Sequence, residues 1–234
     1  SDTLINQAII YYDKKGSPLQ KAMSYYLLGR IYSDMGNTAN AVNALLKAQA
    51  HSKNISDNML KGLIYHHLGD LYNQQYELEL SINALNKSLF YFEQAGSPIN
   101  EALTLSLLSR NFTLLTEYEK AIEFYIRAKE IFIEEDSKDN IIATSGAIAS
   151  VYFQQLGVYT KALDELWKTY GQFNNNELPP EHYPLLCYLY FLYGDLNSET
   201  KYSNNDLKLE GLSKNGIAGM YAIISQIEEA KGNY

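Results

Sequence analysis

"YYLLGRIYSDMGNTANAVNALLKA", residues 25–48, is echoed 40 residues later by "YHHLGDLYNQQYELELSINALNKS", residues 65–88, and after another 40 by "LSLLSRNFTLLTEYEKAIEFYIRA", residues 105–128. The three stretches align without a gap. In each first half a bulky residue, a leucine, a small residue and an aromatic recur: Tyr25, Leu28, Gly29 and Tyr32; Tyr65, Leu68, Gly69 and Tyr72; Leu105, Leu108, Ser109 and Phe112. That i, i+3, i+4, i+7 spacing marks one face of an α-helix. The second halves set Ala41, Leu45 and Ala48, then Ser81, Leu85 and Ser88, then Ala121, Tyr125 and Ala128 on one stripe of a second helix. Small residues there let the two helices of a pair approach closely.

The corners repeat as well. "YYDKKGSPLQKA" at 11–22 returns as "YFEQAGSPINEA" at 91–102, and steps of 40 from Ser17 reach Asp57, Ser97 and Ser137. All four are residue types that cap helix N-termini by accepting a bond from an orphan amide. Pro18 and Pro98 fall at the first helical position, where a missing N–H costs nothing, and Gly16 and Gly96 suit a left-handed helix stop. A fourth copy, "SGAIASVYFQQLGVYTKALDELWKT" from Ser145, keeps Ile148, Ala149, Tyr152, Ala162, Leu166 and Thr169. It carries one extra residue between Tyr152 and Gly157, which a surface turn is expected to absorb.

The pattern resembles the tetratricopeptide repeat, whose signature is a bulky residue, Leu-Gly, an aromatic, then Ala, a large residue and Ala. The resemblance covers residues 1 to about 170 and implies an all-α, right-handed superhelical solenoid of antiparallel helix pairs. The period departs from the usual 34; six extra residues in the second helix would lengthen it by about one and a half turns. Longer repeats of this kind resemble those of bacterial peptide-sensing regulators and of tyrosine-rich proteins of Bacteroidetes, many of them exported or membrane-tethered. The 21 tyrosines fit the second likeness. What the resemblance implies about function is a non-enzymatic protein- or peptide-binding scaffold.

The repeat divides the chain into a second helix at 1–16, full repeats at 17–56, 57–96, 97–136 and 137–177, a degenerate repeat at 178–216, and a first helix at 217–234. Ile5 and Ala8 take the places of Leu85 and Ser88, while Tyr221, Ile224, Ser225 and Gly232 take those of Tyr25, Leu28, Gly29 and Gly36. A slice through a longer solenoid is therefore expected.

Composition narrows the function classes. With 46% hydrophobic and 20% charged residues the 234-residue chain can bury a core, and a net charge of -8 without a basic stripe argues against nucleic acid. The longest apolar run, "YPLLCYLYFLY" at 183–193, is well short of the roughly 20 residues that span a bilayer. Cys187 is the only cysteine, which leaves no internal disulfide and no thiolate metal cluster. It lies in a tyrosine-leucine run and reads as a structural thiol. His66, His67 and Asp70 briefly suggest metal ligands, yet His66 with Asp70 at i, i+4 supplies two ligands where a closed site needs more. No phosphate loop is present, no cofactor is expected, and the sequons at Asn86 and Asn111 fall inside helices, where glycosylation is not expected.

The candidate site is the concave face of the first helices. Projected from the repeat, its residues are Tyr26, Arg30 and Ser33; His66, Asp70 and Asn73; Ser106, Arg110 and Thr113; and Ser150, Phe153 and Gln154. This mixed, hydrogen-bonding surface suits a peptide or protein segment laid along the groove. Arg30, Asp70 and Arg110 share one repeat position and would stack into a row of alternating charge. The alternatives are a self-associating structural module and, more remotely, an enzyme with its site in 178–216.

Overall fold

The computed structural model describes residues 2–152 and 158–171, and among these every regular element is helical. Two compact units divide the chain, residues 1–136 and residues 137–234. The first contains α1 (Asp2–Lys15), α2 (Pro18–Asp34), α3 (Thr38–Ser52), α4 (Asn58–Gln74), α5 (Leu78–Ala95), α6 (Pro98–Leu114) and α7 (Tyr118–Glu134). The second contains, among its described residues, α8 (Lys138–Ser150) and α9 (Tyr159–Gly171), packed on each other. The expected degenerate repeat at 178–216, the closing helix at 217–234 and Cys187 lie outside the described residues.

The 40-residue step is visible in the corners. Asn37 N–H donates to Tyr32 O at 2.8 Å, Glu77 to Tyr72 O at 2.9 Å and Glu117 to Phe112 O at 2.9 Å, each closing the helix stop with a six-to-one bond. The residue just before each donor is left-handed: Gly36 at φ 70°, Tyr76 at 61° and Thr116 at 62°. Glycine meets that demand without strain, whereas tyrosine and threonine adopt it because the closing bond and the packed helices leave no other path. In the fourth copy the equivalent bond runs from Val158 to Tyr152 O at 2.8 Å, spanning six residues instead of five. Residues 151 and 152 are wound as π-helix, and residues 153–157, where the extra residue falls, lie outside the described residues.

Three further sequence expectations are refined. Ser17 closes a full capping box with Gln20, and Asp57 accepts from the Leu60 amide at 2.8 Å. Ser97 and Ser137 make no such backbone bond; each accepts instead from an asparagine three residues on, Asn100 at 2.8 Å and Asn140 at 2.9 Å. Gly96 ends α5 in the left-handed conformation at φ 61°, but Gly16 does not. Gly16 tucks its amide onto Tyr12 O at 2.7 Å, a fit so close that a Cβ would stand 2.7 Å from that oxygen. Nor is the added length of the repeat confined to the second helix, since α6 and α7 have 17 residues each.

Packing explains the small residues. A Cβ on Gly29 would lie 2.7 Å from Leu45 Cγ, and one on Gly69 would lie 2.5 Å from Leu85 Cγ, with both leucines fully buried. Gly62 gives the same clearance to the Phe92 ring. Where the second helix offers serine rather than alanine, the hydroxyl finds the facing backbone: Ser81 donates to Gly69 O at 2.7 Å and Ser88 to Gly62 O at 2.9 Å. These bonds remove the penalty of burying a hydroxyl, so alanine and serine serve interchangeably at the pair interface. The core runs continuously from Ala22 in α2 to Ala84 in α5, with Ile5 and Ile9 of α1 against it.

Candidate functional site

In the first unit α4 lies beside both α2 and α6, and the side chains of these three helices carry most of the projected groove residues. Tyr26 is buried, and its hydroxyl accepts from Arg30 Nη1 at 3.2 Å. The same nitrogen reaches across to His67 Nε2 on α4, also at 3.2 Å. Because a guanidinium only donates, this contact requires an unprotonated Nε2 and hence a neutral His67. His66 Nδ1 lies 2.8 Å from Thr104 Oγ1 on α6, and Thr104 gives its own proton to Asn100 O at 2.7 Å. His66 is therefore the donor of that bond.

Two rungs lie further along. Arg110 Nη2 donates to Asp70 Oδ1 at 2.9 Å, and Gln74 supplies the other carboxylate oxygen with a bond of 2.9 Å. Asn73 donates to Asn111 Oδ1 at 3.0 Å, and Asn111 passes a bond of 2.9 Å to Ser81, all three buried. Four pairs thus join first helices of successive repeats: Arg30 with His67, His66 with Thr104, Asp70 with Arg110, Asn73 with Asn111. Half of the anticipated charge row forms, because Arg30 is drawn to Tyr26 and His67 while Asp70 pairs with Arg110.

Burial sets the protonation states. His66 is pushed down to about 4, by desolvation first, with Asp70 opposing and Arg30 assisting. Desolvation also lowers His67 to about 3, reinforced by His66 and Arg30. Both rings turn to protein partners, and no group of three His, Cys, Asp or Glu side chains arranged to hold a metal occurs among the described residues. On the far side of α2, Tyr25 donates to Asp13 Oδ2 at 2.7 Å and is raised to about 12 by burial and by that carboxylate.

Ser106 and Thr113 bond back to their own helix, to Ala102 O at 3.0 Å and Ser109 O at 2.9 Å, and Ser33 is half-buried. Ser150, half-buried, belongs to the second unit; Phe153 and Gln154 lie outside the described residues. The projection missed an apolar stripe on the same helices. Leu19, Met23 and Leu27 of α2 are exposed at 42%, 39% and 44%, with Met59 of α4 exposed too. Leu19, Met23 and Leu27 also line a cavity of about 390 Å³ against Ile5, Ala8 and Tyr12 of α1. Their i, i+4, i+8 spacing was the available signal.

No protein-family model and no curated protein matches the sequence. Solved structures do. A signal-transduction ATPase of the STAND class with a tetratricopeptide repeat sensor, from Pyrococcus horikoshii, superposes with a TM-score of 0.76 at 17% identity, over 98% of this chain and 39% of that one. The apo quorum sensor NprR from B. thuringiensis gives 0.75 at 17%, over 97% of this chain and 64% of that one. BtubC from P. vanneervenii gives 0.66 at 15%, over 98% of this chain and 89% of that one. The chain thus spans less than two thirds of the sensor and of the ATPase. Internal period, corner geometry and these likenesses agree that the chain has the tetratricopeptide-type fold, an all-α solenoid of paired helices.

Proposed function

We propose that the chain is a non-enzymatic scaffold that takes a peptide or protein segment on the face of its first helices, as the sensory part of a larger bacterial protein. Two of the structural neighbours are a quorum sensor and a repeat sensor, which favours a recognition role. The observation that carries the reading is the setting of Arg30 and Arg110. Each is anchored through a single guanidinium nitrogen, Arg30 to Tyr26 and His67 and Arg110 to Asp70, which leaves the rest of the planar fork directed to a ligand. Beside them, the exposed Met59 offers an adaptable apolar contact.

The test is a peptide selected against the wild-type chain from a displayed random library, then titrated against an Arg30→Gln/Arg110→Gln variant. A charge-assisted bond contributes about 1.5–3 kcal/mol, so each lost arginine should weaken binding about tenfold or more. Equal binding by a folded double variant would remove these arginines from the site.

A further inference from the structure

A second groove lies between α3 and α5, floored by tyrosines of α4 and remote from the first-helix face. Its wider part, about 480 Å³, runs along α5 past Phe90 and Tyr91. The narrower part, about 240 Å³, is walled by Leu46 and Gln49 of α3 and by Leu80 of α5. Tyr65, Asn83 and Lys87 line both parts, so the two are continuous. From Leu80 to Tyr91 the groove follows α5 for about 16 Å at 1.5 Å per residue, the reach of about five extended residues.

Three features define what fits. Gln49, Asn83 and Asn86 stand on the two walls, and no hydrogen bond of their side-chain amides to a described residue is found. A side-chain amide offers one donor and one acceptor group, which matches a peptide unit of an extended chain; a helical ligand has no such backbone groups to offer. Aromatic rings lie between these amides, but Tyr65 and Tyr91 stack on each other at 5.6 Å, with Lys87 and Lys61 over their rings. With ring faces already occupied, no flat platform remains for a sugar; ring edges and Phe90, exposed at 56%, receive small apolar side chains instead.

The charge is one-sided. Lys87 lies in the groove, and Lys61 stands beside it over the Tyr91 ring at 5.3 Å. α3 carries no carboxylate at all, α5 carries only Glu79 and Glu93 near its ends, and the single acid of α4, Asp70, is paired with Arg110. In a chain of net charge -8 this cationic strip is the exception.

We propose that the groove between α3 and α5 binds an extended, acidic peptide segment whose apolar side chains settle among Tyr65, Tyr72 and Phe90 and whose carboxylate meets Lys87. The site is independent of the first-helix face. The probe is a blocked heptapeptide alternating glutamate with leucine around a central proline, titrated into the full chain and followed by the side-chain amide signals of Gln49, Asn83 and Asn86. Those signals should shift, an Asn83→Ala/Lys87→Glu variant should raise the Kd at least tenfold without lowering the melting temperature, and a twin peptide with lysine for glutamate should not bind. The Arg30→Gln/Arg110→Gln variant should bind the probe as the wild type does, which separates this site from the first. No binding, equal binding of the lysine twin, or binding unaffected by Asn83→Ala/Lys87→Glu would each overturn the assignment.

Discussion

Replacing Gly69 with alanine sets two known effects against each other. In an exposed helix the change is stabilising by about 0.8–1 kcal/mol, because glycine loses the most backbone freedom on folding. Here the added methyl would stand 2.5 Å from Leu85 Cγ and 2.6 Å from its Cδ2, about an ångström inside ordinary contact. Leu85 is fully buried, and Ser81 locks the same spot by its bond to Gly69 O, so neither wall can yield cheaply. Overpacking of this kind costs about 1–3 kcal/mol. The net expectation is a loss of up to about 2 kcal/mol, read as the urea midpoint by far-UV circular dichroism. Leu85→Ala supplies the control: alone it should lose about 2–5 kcal/mol, and in its background Gly69→Ala should become neutral or gain, a coupling above about 1 kcal/mol. If Gly69→Ala stabilises the wild type, or if the two changes simply add, the close approach of α4 and α5 is not what the glycine serves.

Thr116→Gly should raise the melting temperature, since a β-branched residue at φ 62° carries about 1 kcal/mol of strain that glycine lacks, less the entropy glycine loses on folding; Gly36→Ala at the equivalent corner should do the reverse, and a lower melt for Thr116→Gly would refute the account. His66 and His67 are both depressed below the ordinary imidazole value near about 6.5, so the unfolded chain binds more protons between there and about 4. Stability should accordingly be complete above about pH 6.5 and fall as the pH drops toward about 4, by up to about 1.4 kcal/mol per pH unit for each ring, with His67→Gln flattening the slope. A pH-independent melt across that window would mean the rings titrate normally.

The repeat was legible because its constraints are local. A six-to-one closing bond, a left-handed corner and a glycine under a leucine all arise within one helical pair, so they recur at 36, 76 and 116 or at 29 and 69 whatever the rest of the chain does. The groove was legible only as a set of positions. Arg30, Asp70 and Arg110 do share a helix face, yet their partners depend on how one repeat settles on the next. Pairs 37 to 40 residues apart, such as Arg30 with His67 and Asp70 with Arg110, mix chemistries that no single-column comparison reveals. Tyr26 and Asn73, which the repeat projects into the groove, are buried. The outer groove left even less trace: Asn83, Asn86 and Lys87 read as an ordinary solvated helix face until Tyr65 and Tyr91 are brought beside them.

The four rungs between first helices are unequal, and that inequality bears on binding. Asn73 with Asn111 and His66 with Thr104 are largely removed from water, so breaking either leaves buried polar groups unpaired, at about 1–3 kcal/mol. Arg110 with Asp70 is different, since their side chains are 46% and 31% exposed and an exposed ion pair contributes only about 0.2–1 kcal/mol. The buried rungs fix the spacing of the repeats. With the spacing held elsewhere, the proposed site would use the remaining guanidinium nitrogens of Arg110 on a ligand carboxylate or carbonyl without the fold depending on the Asp70 bond, whose second oxygen Gln74 also holds. Under the proposed function, a surface whose stacking relied on the exposed rung would lose its register on gripping a partner, whereas the buried rungs would hold this one in place.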